Sequence, residues 1–364
     1  MAGVVAARRD HADRRLMPSA YPICPGGRHD LAAQPWAASI GAAGDGRRRV
    51  AKIKVSELAY CRLQVPELDV ESDFLTDFGL MPVLREQGRR YFRTTDPAPY
   101  CYVLEEGPAH FLGFGFHAKS REDLDLLAQQ QGQPVTPIDA PGGGWRVRLR
   151  EPNGYHVDVV HGIEPAAAIE VKRQSINSGA QPLQRAGELF RLKRGEATPA
   201  KRLAHVVLGS PRVRETVDWF HETLGTISSD EVVAGPAKQL IGSFIRVDNG
   251  DDYVDHHAVF VIANPTAGLQ HISFEMPDVD AVFADHHHLK KLGRYEHMWG
   301  IGRHLLGSQI FDYWADPYGY SHEHWADSDR LNAAHPTTVW DAREGMVTQW
   351  GEEPPEKFRN CVRP

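Results

Sequence analysis

The amino-acid sequence predicts an α+β protein made of two homologous halves. From Lys52 onward, strand-like and helix-like stretches alternate, with Gly and Pro between them. The plan of a strand followed by a helix begins near Ile53 and begins again at Leu203. Each half contains two units of a strand, a helix and further strands, and such units are expected to curl their sheets around a shared concavity. A concave sheet lined by inward-pointing side chains is a natural ligand site.

Each half opens with a strand and a helix. Residues 53–65 alternate as a strand, and residues 68–78 follow with helical spacing and with Gly79 where a helix would end. In the second half, residues 203–208 form the corresponding strand and residues 213–224 the corresponding helix. The two segments therefore predict the same first unit.

The most specific match between the halves is a turn with a carboxylate after it. Residues 151–158 read Glu-Pro-Asn-Gly-Tyr-His-Val-Asp, and residues 316–323 read Asp-Pro-Tyr-Gly-Tyr-Ser-His-Glu. In both, an acidic-Pro-x-Gly turn leads into a short strand with a carboxylate seven residues after the first acid. We therefore divide the folded chain into a first domain over 51–165, a linker over 166–199, a second domain over 200–328, and a C-terminal tail over 329–364 for which a lid is one interpretation.

The N-terminal residues 1–50 differ in composition from the rest of the chain. Residues 1–49 contain eight Arg and no Lys, without apolar periodicity. The segment is neither poor in acids nor amphipathic, as a transit peptide would be, and it lacks the apolar core of a secretory signal. We expect either a disordered extension or a mis-annotated one, in which Val50 represents a GTG start codon.

The composition excludes several classes of partner. With a net charge of −7 over 364 residues and no long basic stripe outside the N-terminus, nucleic acid is not expected as a partner. No apolar run approaches the roughly 18–20 residues of a membrane-spanning helix, and the four Cys lie far apart. We therefore expect a soluble, cytoplasmic protein without membrane partners. The 19 His direct attention to metal binding.

A comparison of the halves at equivalent positions singles out three residues. His205, His271 and Glu323 of the second half align with Tyr60, Gly113 and Asp158 of the first half. Residues that only packed the fold would be similar in both halves, but of these three positions only the carboxylate is similar. Two His and one carboxylate form the facial triad that holds a divalent ion and leaves one face of it open. Satisfied core histidines are the alternative interpretation, which a set of three residues makes the weaker one.

Strand geometry separates Glu323 from its two neighbours in the sequence. Side chains alternate between the two faces of a strand, so Glu323 points to one face and His322 and His324 point to the other. The flanking His residues are therefore not expected to share the metal with Glu323.

Three motifs carry a family resemblance. They are Leu203-Ala-His205-Val-Val-Leu, Gly268-Leu-Gln-His271-Ile-Ser-Phe-Glu, and Gly302-Arg-His304 followed by Asp312-Tyr313-Trp-Ala-Asp316-Pro-Tyr-Gly319 and Glu323. Over residues 52–328 the chain resembles type I extradiol ring-cleavage dioxygenases, such as catechol 2,3-dioxygenase, of the vicinal oxygen chelate superfamily of glyoxalases, bleomycin resistance proteins and dioxygenases. Asp312 departs from the family pattern, in which an apolar residue often precedes the tyrosine.

The resemblance implies both the fold and the metal site. The family fold has four βαβββ modules, two in each domain, and each pair of modules curls into an open barrel. The first domain is degenerate and binds no metal. In the second domain, the motif positions imply that His205, His271 and Glu323 bind Fe(II), with Mn(II) as the alternative ion.

The resemblance also implies a reaction. An aromatic ring is cleaved beside two vicinal hydroxyls with both atoms of O2 incorporated, so the substrate is a substituted catechol or a biaryl diol in aromatic-compound catabolism. His257 corresponds to the family's acid–base histidine, and His304 and Tyr313 correspond to residues that contact the substrate oxygens. His256 is the alternative to His257, because one of two consecutive side chains faces the site and the other faces away. We also expect a homo-oligomer.

Two other functions remain open, and one motif is set aside. Another metalloenzyme of the superfamily, of the glyoxalase isomerase or lyase type, commonly builds its site from several modules, and a ligand-binding protein of this fold needs no acid–base histidine.

The run His286-His287-His288 looks like a metal tract. It lies in a helical pattern, in which consecutive side chains diverge, so we interpret it as a solvated helix face.

Overall fold

The computed structural model describes residues 51–171, 175–189, 191 and 195–364. These residues belong to one compact unit. The extension expected over 1–50 lies outside the described residues, as do parts of the expected linker. Of the helices in the described part of the chain, none combines the length and the apolar character needed to cross a bilayer.

The first half forms an eight-stranded sheet with two helices. Its elements are β1 (Val55–Val65), α1 (Leu68–Asp77), β2 (Met81–Glu86), β3 (Arg89–Arg93), β4 (Tyr102–Glu106), β5 (His110–Ala118), α2 (Arg121–Gln131), β6 (Val135–Pro137), β7 (Trp145–Arg150) and β8 (His156–His161). The strand order is β2-β3-β4-β1-β5-β8-β7-β6. In each unit the last strand pairs in parallel with the first, and the antiparallel pair β1 and β5 joins the two units.

The second half repeats this plan and adds the C-terminal tail. Its elements are β9 (Arg202–Ser210), α3 (Val213–Leu224), β10 (Ile227–Ala234), β11 (Gln239–Arg246), β12 (Val254–Asp255), β13 (Val259–Ala263), β14 (Gly268–Glu275), α4 (Val279–Leu292), β15 (Glu296–His304), β16 (Ile310–Ala315), β17 (Ser321–Ala326), β18 (Arg330–Leu331), β19 (Thr338–Asp341), α5 (Ala342–Gly345), β20 (Thr348–Trp350) and α6 (Glu356–Arg359). The ten-stranded sheet has the order β19-β10-β11-β13-β9-β14-β17-β16-β15-β20, and β12 pairs with β18. The predicted fold class, with four βαβββ units in two open sheets, is confirmed.

The first helix of each half packs on the sheet of the other half. Phe74 of α1 and Phe78, just after it, pack edge-to-face against His322 of β17, with ring centroids 4.9 and 5.6 Å from that ring. On α3, Phe220 contacts Phe114 of β5 at 6.3 Å. Burying a Phe side chain contributes roughly 1.5–3 kcal/mol. Because each half packs a helix on the other, the two halves share one continuous core. The domain boundaries drawn from the sequence stay a prediction.

The C-terminal tail extends both edges of the second sheet. Strand β19 pairs in parallel with β10, and β20 pairs with β15 in antiparallel orientation. Near the chain end, Arg363 bridges to Leu269 at the start of β14. The tail is thus an integral part of the second sheet.

A buried pair of carboxyl groups joins the halves. Glu71 on α1 and Asp316, in the turn before β17, are 0% and 5% exposed and are within 4.8 Å of each other. Both oxygens of Glu71 and Oδ2 of Asp316 have no hydrogen-bond donor in the described part of the chain. Burial raises the pKa of Glu71 well above its usual range and raises that of Asp316 to about 7. One proton shared by the two groups joins an oxygen of Glu71 to an oxygen of Asp316.

We expect Glu71→Gln to weaken the pH dependence of stability. A raised carboxyl pKa contributes stability that is complete below the unfolded value of about 4 and is lost as the pH rises through the folded value. The free energy of unfolding of the unmodified protein should therefore fall between pH 5 and pH 8. Glu71→Gln should reduce this fall by about 1–3 kcal/mol, because an amide donates without losing a proton. Urea denaturation across this pH range measures both proteins.

The matched control for this experiment is Glu67→Gln, which changes an exposed carboxylate just before α1. Its pH profile should follow that of the unmodified protein. If Glu71→Gln gives a parallel profile as well, the shared proton is refuted.

Candidate metal centre

Three neighbouring strands bring the predicted triad together. In the sheet, β9, β14 and β17 are adjacent, and His205, Ser273 and Glu323 lie directly opposite one another in the register. The Nε2 atom of His205 lies 2.9 Å from Oε2 of Glu323. The Nε2 atom of His271 lies 3.3 Å from Nε2 of His205 and 3.4 Å from Oε2 of Glu323. The structure therefore places three ligand-type atoms in one buried triangle.

The triangle has the dimensions of one face of a metal coordination shell. Ligand atoms at about 2.1 Å from an ion, in perpendicular directions, are about 3.0 Å apart. The Nδ1 atom of His271 donates to the side-chain oxygen of Gln270, which leaves the Nε2 lone pair for the triangle. Oε1 of Glu323 and Nδ1 of His205 have no hydrogen-bond partner among the described residues. The residues present fit a divalent ion.

Electrostatics favour a charged Glu323 and neutral imidazoles. Burial alone would raise the pKa of Glu323, but its contacts with the His205 and His271 side chains hold this pKa well below its usual range. Ser273 Oγ also donates to Oε2 of Glu323, at 2.5 Å. Burial lowers the pKa of His205. A fully buried anion of this kind needs a cation close by, and neutral imidazole is the form that binds metals.

The two neighbours of Glu323 face away, as the strand alternation predicts. His322 Nε2 accepts a hydrogen bond from the Tyr102 hydroxyl at 3.0 Å, because its Nδ1 side faces the Tyr320 carbonyl. His324 Nε2 donates to the Phe78 carbonyl at 2.8 Å. Both contacts lie on the side of the second sheet that packs against the first half.

In the first half, an arginine neutralises the equivalent buried carboxylate. Tyr60, Gly115 and Asp158 occupy the register positions of His205, Ser273 and Glu323. Arg148 donates to both oxygens of Asp158, with Nε and Nη2 each at 2.8 Å, and the Tyr60 hydroxyl donates to Oδ2 at 2.8 Å. Arg148 stands where Tyr313 stands in the second half, since each pairs across the sheet with the carboxylate residue. A guanidinium therefore neutralises the buried carboxylate of the first half.

The comparison of the two halves by sequence did not single out Arg148, although its spacing from Asp158 could have indicated it. Arg148 lies ten residues before Asp158, and Tyr313 lies ten residues before Glu323. Ser273 and Gln270 were also missed, although Ser273 lies two residues after His271 on the same strand and therefore on the same face.

A chain of hydrogen bonds fixes the ring orientation of His257. The His257 ring is beside His205, with centroids 4.1 Å apart, and its Nδ1 lies 3.1 Å from Nδ1 of His256. His256 Nε2 lies 2.7 Å from Oδ2 of Asp230, whose Oδ1 accepts from the Trp340 indole at 2.8 Å.

These contacts fix the tautomers if both imidazoles are neutral. Because the carboxylate of Asp230 only accepts, a neutral His256 carries its proton on Nε2, and its Nδ1 accepts from Nδ1 of His257. Nε2 of His257 is then left with a lone pair. Burial, and then the nearby His205, lower the pKa of His257 well below its ordinary value, so this ring is neutral.

His304 and Tyr313 lie on the other side of Glu323. Nε2 of His304 and the Tyr313 hydroxyl are 2.9 Å apart, and the same nitrogen is 3.6 Å from Oε1 of Glu323. Burial raises the pKa of Tyr313 well above its usual range, so its hydroxyl remains a donor. The His304 side chain is 23% exposed, whereas those of His205 and Glu323 are 3% and 1% exposed. The site therefore reaches solvent beside His304.

Aromatic side chains form the wall next to this opening. The Tyr313 ring lies 4.5 Å from Phe358 and 5.5 Å from Trp299, between centroids. Phe358 belongs to α6 in the C-terminal tail, and the indole nitrogen of Trp299 donates to the Glu352 carbonyl at 2.8 Å. The tail thus completes the wall of the site.

Comparison with known proteins identifies the class of the second half. Residues 202–323 match the family described as the Glyoxalase/Bleomycin resistance protein/Dioxygenase superfamily. This match, together with the curated relative described next, confirms the resemblance to type I extradiol dioxygenases.

Particular relatives resemble the chain over most of its length. It is 29% identical to metapyrocatechase 2 of Cupriavidus necator over 310 residues, which are 84% of this chain and 91% of that protein. The Mn(II)-bound glyoxalase from Novosphingobium aromaticivorans has a TM-score of 0.69 and 23% identity, over 84% of this chain and 94% of that one. The 2,3-dioxygenase LapB from Pseudomonas sp. KL28 has a TM-score of 0.64 and 21% identity, over 80% and 99%. Both structures share the fold of this chain.

We expect Arg148→Met to destabilise the protein by about 3 kcal/mol, because it leaves the Asp158 charge buried without its bidentate partner. Adding Asp158→Asn to this variant should restore part of the loss, since no buried anion then remains. Urea denaturation measures the free energy of unfolding. Arg150→Met, an exposed change on the same strand, is the control. Equal stability of Arg148→Met and Arg150→Met would contradict the role assigned to Arg148.

Proposed function

We propose that this chain is an Fe(II)-dependent extradiol dioxygenase that cleaves a substituted catechol or a biaryl diol with O2 in aromatic-compound catabolism. The observation that carries the proposal is the buried triangle of His205, His271 and Glu323, with His257, His304 and Tyr313 around it. The similarity to metapyrocatechase 2 of Cupriavidus necator supports it. We further propose that the enzyme is a homo-oligomer.

The metal would be held by Nε2 of His205, Nε2 of His271 and Oε2 of Glu323. A bound divalent ion of this kind supplies an open face for two vicinal hydroxyl oxygens and lowers the pKa of a hydroxyl that it binds. All three ligand residues lie in the second half, which favours the dioxygenase over a site shared between the two halves or across a dimer.

His257 is suited to accept a proton from the substrate. When His256 is neutral, the Asp230–His256 pair leaves the lone pair of His257 on Nε2. A neutral imidazole in a buried site acts as a general base toward a diol hydroxyl and later returns the proton to the product. The low pKa of His257 keeps this base unprotonated at neutral pH.

His304 and Tyr313 are suited to orient the substrate. Each offers a polar atom within 2.9 Å of the other at the exposed end of the site. A hydroxyl that stays protonated and a neutral imidazole both donate hydrogen bonds to substrate oxygens on which negative charge develops. The rings of Trp299 and Phe358 exclude water and offer apolar surface to an aromatic ring.

The test of the proposed activity is oxygen uptake with a panel of diols. The full-length protein is reconstituted anaerobically with Fe(II) or Mn(II) and mixed with catechol, a substituted catechol or 2,3-dihydroxybiphenyl. We expect a yellow ring-opened product and one O2 consumed for each diol, with one of the two metals more active. Glu323→Gln should retain the fold, measured by circular dichroism, and should lose metal and activity together.

Two outcomes would overturn the proposal. Bound metal with no O2 uptake on any diol would refute ring cleavage. Turnover of a glutathione hemithioacetal by that same protein would assign it to the glyoxalase type instead.

Replacing His257 should separate metal binding from turnover. His257→Phe and His257→Asn are expected to keep the metal content of the unmodified enzyme, because the three ligands are untouched. Turnover should fall by roughly 10²–10⁴-fold, the usual contribution of a general acid–base residue. Metal analysis and O2 uptake measure the two effects. Near-normal turnover in either variant would remove His257 from the mechanism.

A further inference from the structure

A second group of two His and one carboxylate lies outside the candidate metal centre. It consists of His286 on α4, His297 on β15 and Asp312 on β16, and one nitrogen or oxygen atom of each lies within 4.8 Å of the others. Asp312 precedes Tyr313 on the strand. Because side chains alternate, Asp312 faces α4 while Tyr313 faces the candidate metal centre. The two groups are therefore on opposite faces of one sheet.

The geometry of this group resembles that of the first triad. Oδ1 of Asp312 lies 2.8 Å from Nε2 of His297 and 3.1 Å from Nδ1 of His286. These separations match the spacing of about 3.0 Å expected between neighbouring ligands of one ion. The imidazole rings are nearly perpendicular, at 86°, with centroids 4.9 Å apart. Nitrogen atoms of both rings therefore converge on one carboxylate.

The surroundings orient the carboxylate, and the backbone of Gly300 comes close to it. Asp312 is fully buried, and the Trp314 indole donates to its Oδ2 at 2.6 Å. A hydrogen bond of this kind to a ligand's second oxygen is typical of metal sites. Opposite Asp312, Gly300 has a φ of 122°, and a Cβ there would lie 3.0 Å from Oδ1. The His297 side chain is 32% exposed, which provides a path from solvent.

We propose that His286, His297 and Asp312 bind a divalent transition-metal ion of the zinc type. Imidazole with a single carboxylate suits Zn(II) and its neighbours rather than Mg(II) or Ca(II). The ion ties the middle of α4 to β15 and β16, and water completes its coordination on the exposed side. Its role is structural, because Asp312 faces away from the candidate metal centre.

This site differs from what the sequence predicts for the histidine tract. His287 is exposed, as a solvated helix face requires. His286 instead points at the sheet, so the solvated interpretation is wrong for this residue. The Asp that departs from the family pattern before Tyr313 is the residue that His286 contacts.

The test measures Zn(II) stoichiometry in a background without the first triad. His205→Ala/His271→Ala is stripped of metal, equilibrated with Zn(II) by dialysis and analysed for bound metal by mass spectrometry. We expect about one Zn(II) per chain, and the same protein loaded with Co(II) should show ligand-field absorption. Adding His297→Gln should abolish both signals. His286→Gln serves as a second variant, so that misfolding of one, monitored by circular dichroism, does not decide the result.

The control is His288→Gln in the same background, which changes a histidine of α4 outside the cluster and should still bind about one Zn(II). Absence of bound Zn(II) in the background protein would overturn the proposal and leave a hydrogen-bonded His–Asp–His group. Equal Zn(II) content with and without His297→Gln would overturn it as well. Because the readout is metal content in a protein that lacks the first triad, the result does not depend on ring-cleavage activity.

Discussion

The structure depends on the burial of one carboxylate in each sheet. The side chains of Glu323 and Asp158 are each 1% exposed and occupy equivalent positions. A buried carboxylate is stable as an anion only if a cation or several hydrogen-bond donors surround it. In the first half, Arg148 supplies a fixed guanidinium. In the second half, the neighbouring strands supply two imidazoles and a serine hydroxyl, which leaves space for an ion.

Duplication explains how one fold holds both a carboxylate paired with an arginine and a carboxylate beside two imidazoles. The strand pairing around the two carboxylates is the same in both sheets, so a change of residue type changes the site within a shared register. Because α1 and α3 each pack on the opposite half, the degenerate half remains essential to the core. The first half thus stabilises a sheet on which the second half builds its candidate metal centre.

The surroundings of the triad come from distant parts of the chain. Asp230 on β10, which accepts from Trp340 on β19, orients the ring of His256 and through it the ring of His257. Phe358, from the C-terminal tail, packs against Tyr313. These contacts link the orientation of a proton-accepting nitrogen to the position of the tail. The site is therefore shaped by elements that are remote in sequence.

The sequence by itself determined the repeat, the alternation of strands and helices, and the face on which Glu323 lies. These features are local, because side-chain period and turn chemistry depend on neighbouring residues. Comparison of the halves also singled out His205 and His271, since one half serves as a control for the other. Only the tertiary structure decided that His257 rather than His256 lies beside His205, and that His286 meets Asp312. Those contacts join separate elements, and their distances depend on how a helix and several strands pack together.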